Sequence, residues 1–530
     1  MKNNIIFILL ITMLKGQVIN INPNINVEPW IVGGTTEIHD GIQANLNNIP
    51  IFELSENALE ISLRSIVDNS EEIYFRPIFS QEGGSCAQAS GVGYDYTYEI
   101  NHYRNLPSDD YENQYPPGYT YNYLNQGDCA RGSSYQDGWN IIADVGIPNV
   151  NDYGGMYIGE ECNKWMSSYN KYYNAMHNKL SSYWQISTSE GSIQKLEEFK
   201  HWLNDHNGEN EIGGVAVFST SIGQDILIDI LPSESDEAGK KIVLFWGSAV
   251  GHSMTIVGYN DNIQYDFNND GLFTNDMDTN NDNMIDIRDW EIGAFKVANN
   301  TPPTWGDGGF IYMPYRMWYP YYLGESINGA VFGVEIEPIE SPQMTIRVKM
   351  VHSSRKKINI ITGFANNLFA SVPTTIKEYE PYRLHKAGNL PMLGISEEPI
   401  EIELDITSFL SENNSGSGKY FLEVHEESDS GSDYNGEIIS FSLVDYRGDE
   451  EFEIMCLQEN VQIENNTITR LSINLLLGDL NQDGTLNILD LVFIANMILA
   501  DEYNAIADMN SDGVLNVLDL VCLVNIILEI

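Results

Sequence analysis

Hydrophobic and polar positions change pattern three times along the chain. The stretch from Cys86 to about Arg104 reads as helical. Gly214-Val215-Ala216-Val217-Phe218, Ser253 to Tyr259 and Gly309 to Met313 are β-branched or aromatic runs that predict strands. From about 331 to 470 short alternating runs take over: Met344 to Val351, Ile358 to Ile361, Ile400 to Ile406, Tyr420 to Val424, Ile438 to Val444 and Thr467 to Leu475. Loops such as Glu412 to Gly418 and Ser428 to Ser432 separate them, and regular short strands of this kind predict an antiparallel β-sandwich. The last fifty residues change again, to two apolar helices, Leu491 to Leu499 and Leu520 to Leu528, each entered from an acidic, glycine-bearing loop.

At 530 residues the chain is too long for one core. The patterns divide it into an N-terminal segment, a mixed α+β unit over 61–330, a sandwich over 331–476 and a small helical unit over 477–530. Residues 1–17 combine one early lysine with an apolar run from Ile5 to Leu14, the pattern of a secretory signal peptide, so the product is expected outside the cell. Residues 18–60 are rich in Asn, Pro and Ile and read as an N-terminal extension or short prosegment. No later segment suits membrane insertion. The formal net charge of −49 excludes nucleic acid and anionic membranes as partners and favours divalent cations.

Chemistry enters at Gln81-Glu82-Gly83-Gly84-Ser85-Cys86-Ala87-Gln88. A polar turn delivers a cysteine to the first position of a helix, where backbone N–H groups stabilise a thiolate. Downstream, Gly251-His252-Ser253-Met254 heads a strand-like run ending Val257-Gly258-Tyr259, which would hold an imidazole rigidly. Asn299 follows, six residues before Trp305-Gly306-Asp307-Gly308-Gly309-Phe310, and could fix the tautomer of that imidazole. Of the other histidines, His201 and His206 are expected at the surface of a polar helix.

These words, in this order, resemble the papain-like cysteine peptidases over roughly residues 65–330. The resemblance implies a two-lobed fold with a helical left lobe and a β-barrel-like right lobe. It implies Cys86 as nucleophile, His252 as base, Asn299 as orienter and Gln81, with the Cys86 N–H, as oxyanion donor. It places Gly132 and Ser133 on the substrate cleft and pairs Cys129 with Cys162 in a disulfide, leaving Cys86 free and Cys456 and Cys522 as buried thiols. The chain departs from the family in three places. Gln81 stands five residues before Cys86 instead of six, Ala87 replaces a tryptophan, and Asn300-Thr301-Pro302-Pro303 follows Asn299 in place of Ser-Trp-Gly. The long inhibitory prosegment of papain relatives is not found in the sequence.

Two further regions read as calcium sites. An acidic insert over 266–289 places Asp278, Asn280, Asp282, Asp286 and Asp289 at loop positions 1, 3, 5, 9 and 12, the spacing that wraps a hard cation; one or two ions are expected there. Near the C-terminus the pattern repeats, with Asp479, Asn481, Asp483, Thr485, Asn487 and Asp490 and then Asp508, Asn510, Asp512, Val514, Asn516 and Asp519, where Thr485 and Val514 offer main-chain carbonyls. Loop-plus-helix repeats of this form resemble a type I dockerin, which implies structural calcium and a cohesin-like partner docking on Ile488, Leu489, Val517 and Leu518. The whole reads as a secreted cysteine endopeptidase acting on protein or peptide through a thioester, with a docking tail. The alternative is a catalytically inactive papain-like protein serving adhesion or assembly.

Overall fold

The computed structural model describes residues 49–157, 162–188, 191–319, 326–413, 416–427 and 435–528. The expected signal peptide, most of the N-terminal extension and the loop at Ser428 to Ser432 lie outside them. The fold is mixed α/β, in two compact units: one drawn from residues up to Pro117 with Cys129–Trp139 and Ser181–Glu337, the other from Gly118–Asp128, Asn140–Leu180 and Pro338–Ile530.

The first unit is built on one large sheet. Its strands are β1 (Ile66–Asp68), β2 (Ser182–Ser187), β3 (Ala216–Ile222), β4 (Leu227–Ile230), β5 (Lys241–Phe245), β6 (Val250–Gln264), β7 (Ile292–Ala298), β8 (Phe310–Pro314) and β9 (Ala330–Glu335). They run in the order β2-β9-β3-β6-β7-β8-β5-β4, with β1 added to β6. β6 is therefore paired on both sides, and its register sets His252 opposite Thr220 of β3 and Thr255 opposite Ala298 of β7. A strand gripped from two sides cannot slip without turning its side chains to the wrong face. The core against this sheet is aromatic, with Phe199 stacked on Trp318 and Trp184 set edge-on to Trp202. Residues just before the expected domain start join it, because Phe52 packs on both Trp184 and Trp202.

The predicted helix from Cys86 exists but is not uniform. It is α-helical over Cys86–Gln88, widens to a π-helix over Ala89–Tyr96 and returns to α over Thr97–Arg104. The wider turns shift carbonyls off the ordinary ladder, and side chains satisfy them: Trp139 Nε1 donates to Gly91 O at 2.9 Å and Thr97 Oγ1 to Val92 O at 2.9 Å. Periodicity alone could not reveal this, since every residue over 86–101 is buried and no polar face marks the wider turns.

The second unit holds two antiparallel sheets. Their strands are β10 (Met344–His352), β11 (Ile358–Ala365), β12 (Thr375–Glu378), β13 (Ile400–Asp405), β14 (Gly418–Glu426), β15 (Gly436–Asp445), β16 (Phe452–Met455), β17 (Val461–Gln462) and β18 (Ile468–Leu475). One sheet runs β13-β10-β15-β16, with β17 on β15, and the other β12-β11-β14-β18. The same unit ends in helices Ile488–Ala500 and Val517–Leu528. The first starts earlier than apolar spacing suggests because Asn487 caps it, in a capping box with Asp490. Cys456 is buried as expected, whereas Cys522 is only half-buried. Cys129 and Cys162 are disulfide-bonded, and Cys86 is free.

Candidate active site

Cys86 sits at the N-terminus of its helix because the preceding turn is pinned to the loop at 129–131. Gly84 N–H donates to Cys129 O at 2.9 Å, and a Cβ on Gly84 would come within 2.3 Å of Arg131 O, so only glycine permits the approach. The thiol is 2 % exposed. Burial pushes it above its ordinary pKa, while the backbone N–H groups of Ser253, Ala87 and Cys86 itself pull it down. The first of these belongs to the residue after His252, which brings the sulfur to the start of β6.

His252 is fully buried, and its Nε2 donates to Asn299 Oδ1 at 3.0 Å. That bond leaves Nδ1 as the nitrogen able to receive a proton. Burial lowers the imidazole to about 4, a fall that the Asn299 bond opposes, so at neutral pH the ring is uncharged. Asn299 follows directly on β7 and is anchored by its own N–H to Gly309 O at 3.0 Å, with Tyr94 Oη donating to its carbonyl at 3.3 Å.

Gln81 is half-exposed, and its Nε2 donates to Gly83 O at 2.9 Å, so the amide turns back on its own loop. Its main-chain N–H donates to Asn300 O at 3.0 Å. Ser133 Oγ accepts from Gln88 Nε2 at 3.1 Å, and both Gly132 and Ser133 are half-buried.

In the sequence Asn300 stands out solely as a departure from the Ser-Trp-Gly pattern. It is 1 % exposed, and its Nδ2 donates to Cys86 O at 3.1 Å and to Ser253 O at 3.0 Å. Its main-chain N–H donates to Asn299 Oδ1 at 2.9 Å. Its one further sequence signal is adjacency to Asn299.

The expectation that His201 and His206 lie at the surface is wrong, since both are buried. His206 caps its helix with φ +46° and hydrogen-bonds through Nδ1 to Ile212 O and through Nε2 to Glu99 Oε2, each at 2.7 Å. Glu99, His102 and His206 bring their ligand atoms within 4.8 Å of one another. The two imidazoles nevertheless stack, with centroids 4.2 Å apart and planes 21° apart, so their in-plane lone pairs run side by side and do not converge on a metal. The Glu99–His206 pair satisfies itself, and Val215 N–H satisfies Glu99 Oε1 at 3.0 Å.

The acidic loops share one internal pattern. In the 479–490 loop, Asp479 accepts from the N–H groups of Asp483 at 3.2 Å and Gly484 at 2.8 Å, while Asp490 accepts from Asn481 at 3.3 Å and Asn487 at 2.9 Å. The 508–519 loop repeats this through Asp508 and Asp519. The insert does so through Asp278, with Asp282 and Asn283, and Asp289, with Asn280 and Asp286. Every donor set consists of hard oxygens, which suits calcium. Burial and the nearby Asp490 and Asp483 carboxylates raise Asp479, the crowding that a divalent cation would relieve.

The first part of the insert follows the pattern with a twist. Asp266 accepts from Asp270 and Gly271, but the twelfth position is Met277, which cannot ligate. The carboxylate in that role is Glu291, which accepts from Phe267 at 2.9 Å and Thr274 at 3.2 Å. It lies beyond the whole second loop, so a scan of contiguous twelve-residue windows misses it.

The first unit thus gathers a buried thiol, a neutral imidazole and an amide hydrogen-bonded to it, and the tail exposes Ile488, Leu489, Val517 and Leu518 at 71, 54, 62 and 54 %. Among the described residues no helix is long and apolar enough to cross a membrane. No curated protein matches the sequence. The fold is similar to xylellain, a cysteine protease from Xylella fastidiosa, at 14 % identity over 59 % of this chain and 100 % of that one, with a TM-score of 0.36. It is similar to procathepsin B S9 from Trypanosoma congolense at 14 % identity over 63 % and 98 %, TM-score 0.39. It is also similar to digestive procathepsin L 3 of Tenebrio molitor larval midgut at 14 % over 63 % and 90 %, TM-score 0.31. Residues 477–528 match the family described as Dockerin type I domain.

Proposed function

We propose that the chain is an exported cysteine endopeptidase carrying a calcium-loaded docking module. The observation that carries the reading is the joint placement of Cys86 and His252. The sulfur lies against the Ser253 N–H, and the neighbouring imidazole is committed through Nε2 to Asn299, leaving Nδ1 to face proton transfer.

His252 takes the Cys86 proton as the sulfur attacks a peptide carbonyl, and the same imidazolium then protonates the leaving amine. Water, activated by the neutral ring, hydrolyses the thioester. The Cys86 N–H, at a helix start, faces the developing oxyanion. Gln81 joins it once its amide leaves Gly83 O, a short torsional change for a half-exposed side chain. Gly132 and Ser133 would border the bound peptide.

Calcium would be held by the two C-terminal loops, by Asp278 to Asp289, and by Asp266, Asn268, Asp270, Thr274 and Glu291. It would supply charge neutralisation and loop closure. The apolar residues at the helix starts, left exposed, would receive a cohesin-like domain. A second reading, an inactive assembly protein, draws on the Gln81 amide being engaged by Gly83 O.

The test is hydrolysis of a denatured protein by the full chain in calcium, together with labelling by an epoxide thiol trap. The peptidase reading expects both, and expects both to be lost in Cys86→Ala. Absence of hydrolysis and of Cys86 labelling at neutral pH would favour the assembly reading.

A further inference from the structure

Ser90 Oγ donates to Cys86 O at 2.9 Å, but from within the same helical run, whereas Asn300 reaches Cys86 and the residue after His252 together. Its two amide protons go to two different main-chain carbonyls, Cys86 O at 3.1 Å and Ser253 O at 3.0 Å. One carbonyl belongs to the residue that carries the thiol, and the other to the residue next to His252. Two carbonyl oxygens brought toward one another repel unless a donor stands between them. A primary amide is the uncharged side-chain group with two protons on one atom to bridge such a pair. Serine, found at this place in the pattern the chain otherwise resembles, has one.

The main chain of Asn300 is equally committed. Its N–H shares the Asn299 Oδ1 that orients His252, and its carbonyl accepts the N–H of Gln81. One residue therefore touches the nucleophile's backbone, the base's strand, the orienting amide and the segment bearing the oxyanion donor. It is 1 % exposed, so water cannot replace the lost donors cheaply.

We infer that Asn300 is a positioning residue that fixes the separation and orientation of the Cys86 thiol relative to the His252 imidazole by clamping Cys86 O to Ser253 O. The inference rests on the peptidase reading for its catalytic meaning, although the geometry it asserts can be tested without turnover. Loss of the clamp lets the helix start and β6 separate, which weakens proton transfer from Cys86 to His252 while leaving the peptide-binding surface in place.

The experiment compares wild type, Asn300→Ser and Asn300→Ala as full chains in calcium. Iodoacetamide alkylation of the Cys86 peptide is followed by mass spectrometry as a function of pH, so that Cys456 and Cys522 do not contribute. Casein hydrolysis is measured in parallel, with melting as a check on folding. We expect the alkylation rate constant at pH 7 to fall about tenfold in Asn300→Ala and by less in Asn300→Ser, which keeps one donor. The midpoint of the pH profile should move in both variants, and kcat should fall with KM within about twofold. Unchanged alkylation profiles and kcat in both folded variants would overturn the inference. So would a lower melting temperature with fewer labelled molecules but a wild-type rate constant for each folded one, the signature of a purely structural role. The two readings fail separately. Wild type that alkylates with a variant-sensitive profile but never cleaves casein keeps the clamp and loses the peptidase, whereas active wild type with indifferent variants does the reverse.

Discussion

Acidification should destabilise the first unit through His252 by an amount that can be worked from its surroundings. The ring is fully buried and held neutral, with a folded value of about 4 against an ordinary 6.5. A group lowered on folding binds its proton more readily in the unfolded chain, so its stability contribution is present above about pH 6.5 and is lost as pH falls toward 4. At 1.36 kcal/mol per unit the loss approaches about 3 kcal/mol, which for a unit of this size lowers the melting temperature by roughly 6–12 °C. Other groups in the unit are shifted as well. His102 is also lowered, by burial and then by His206, while Asp95 and Glu291 are raised by burial and work in the opposite direction. The informative quantity is therefore a difference: melting of wild type and His252→Gln, both in calcium, between pH 7.5 and 4.5. Wild type should lose more than the variant, and the acid limb of kcat/KM should lie near 4 and not near 6.5. Parallel melting curves for the two proteins across that range would refute the buried, neutral imidazole, and with it the base role.

Removal of the Gln81 amide in Gln81→Ala should cut kcat by about 10²–10³ with little change in melting; an unaffected kcat would place the second oxyanion donor elsewhere. Glu291→Gln should lower the calcium stoichiometry of the full chain by one, measured by equilibrium dialysis, while leaving both C-terminal loops loaded. An unchanged stoichiometry would reduce the insert to its second loop. Leu489→Asp with Leu518→Asp should abolish calcium-dependent capture by a cohesin without altering calcium-induced helix content, because both side chains are exposed. Loss of helix content instead would make these residues part of the module's own core.

What was legible in the sequence, and what was not, divides along a physical line. Contiguous chemistry could be read: the acidic loops, the cysteine at a helix start and the alternating runs are local patterns whose geometry follows from backbone periodicity. Contacts that close across the fold could not. Glu291 takes the place of a twelfth loop position from beyond an inserted loop, Asn300 acts through two carbonyls distant in the chain, and His206 is polar in composition yet buried because Glu99 and Ile212 O meet it there.

The same division bears on where the proposed catalysis is vulnerable. Cys86 and His252 are named by their own neighbours, but the distance between them is set by main-chain groups, and main-chain groups leave no mark in a sequence except through the side chain that binds them. In this chain that side chain is an asparagine where a one-donor residue stands in the pattern it otherwise resembles. The extra donor makes sense if the indole usually placed just beyond it is missing, as Thr301-Pro302-Pro303 implies. A polar tie would then do, from within, what an aromatic cover does from outside, by holding the imidazole's surroundings rigid enough for its Nδ1 to meet the sulfur.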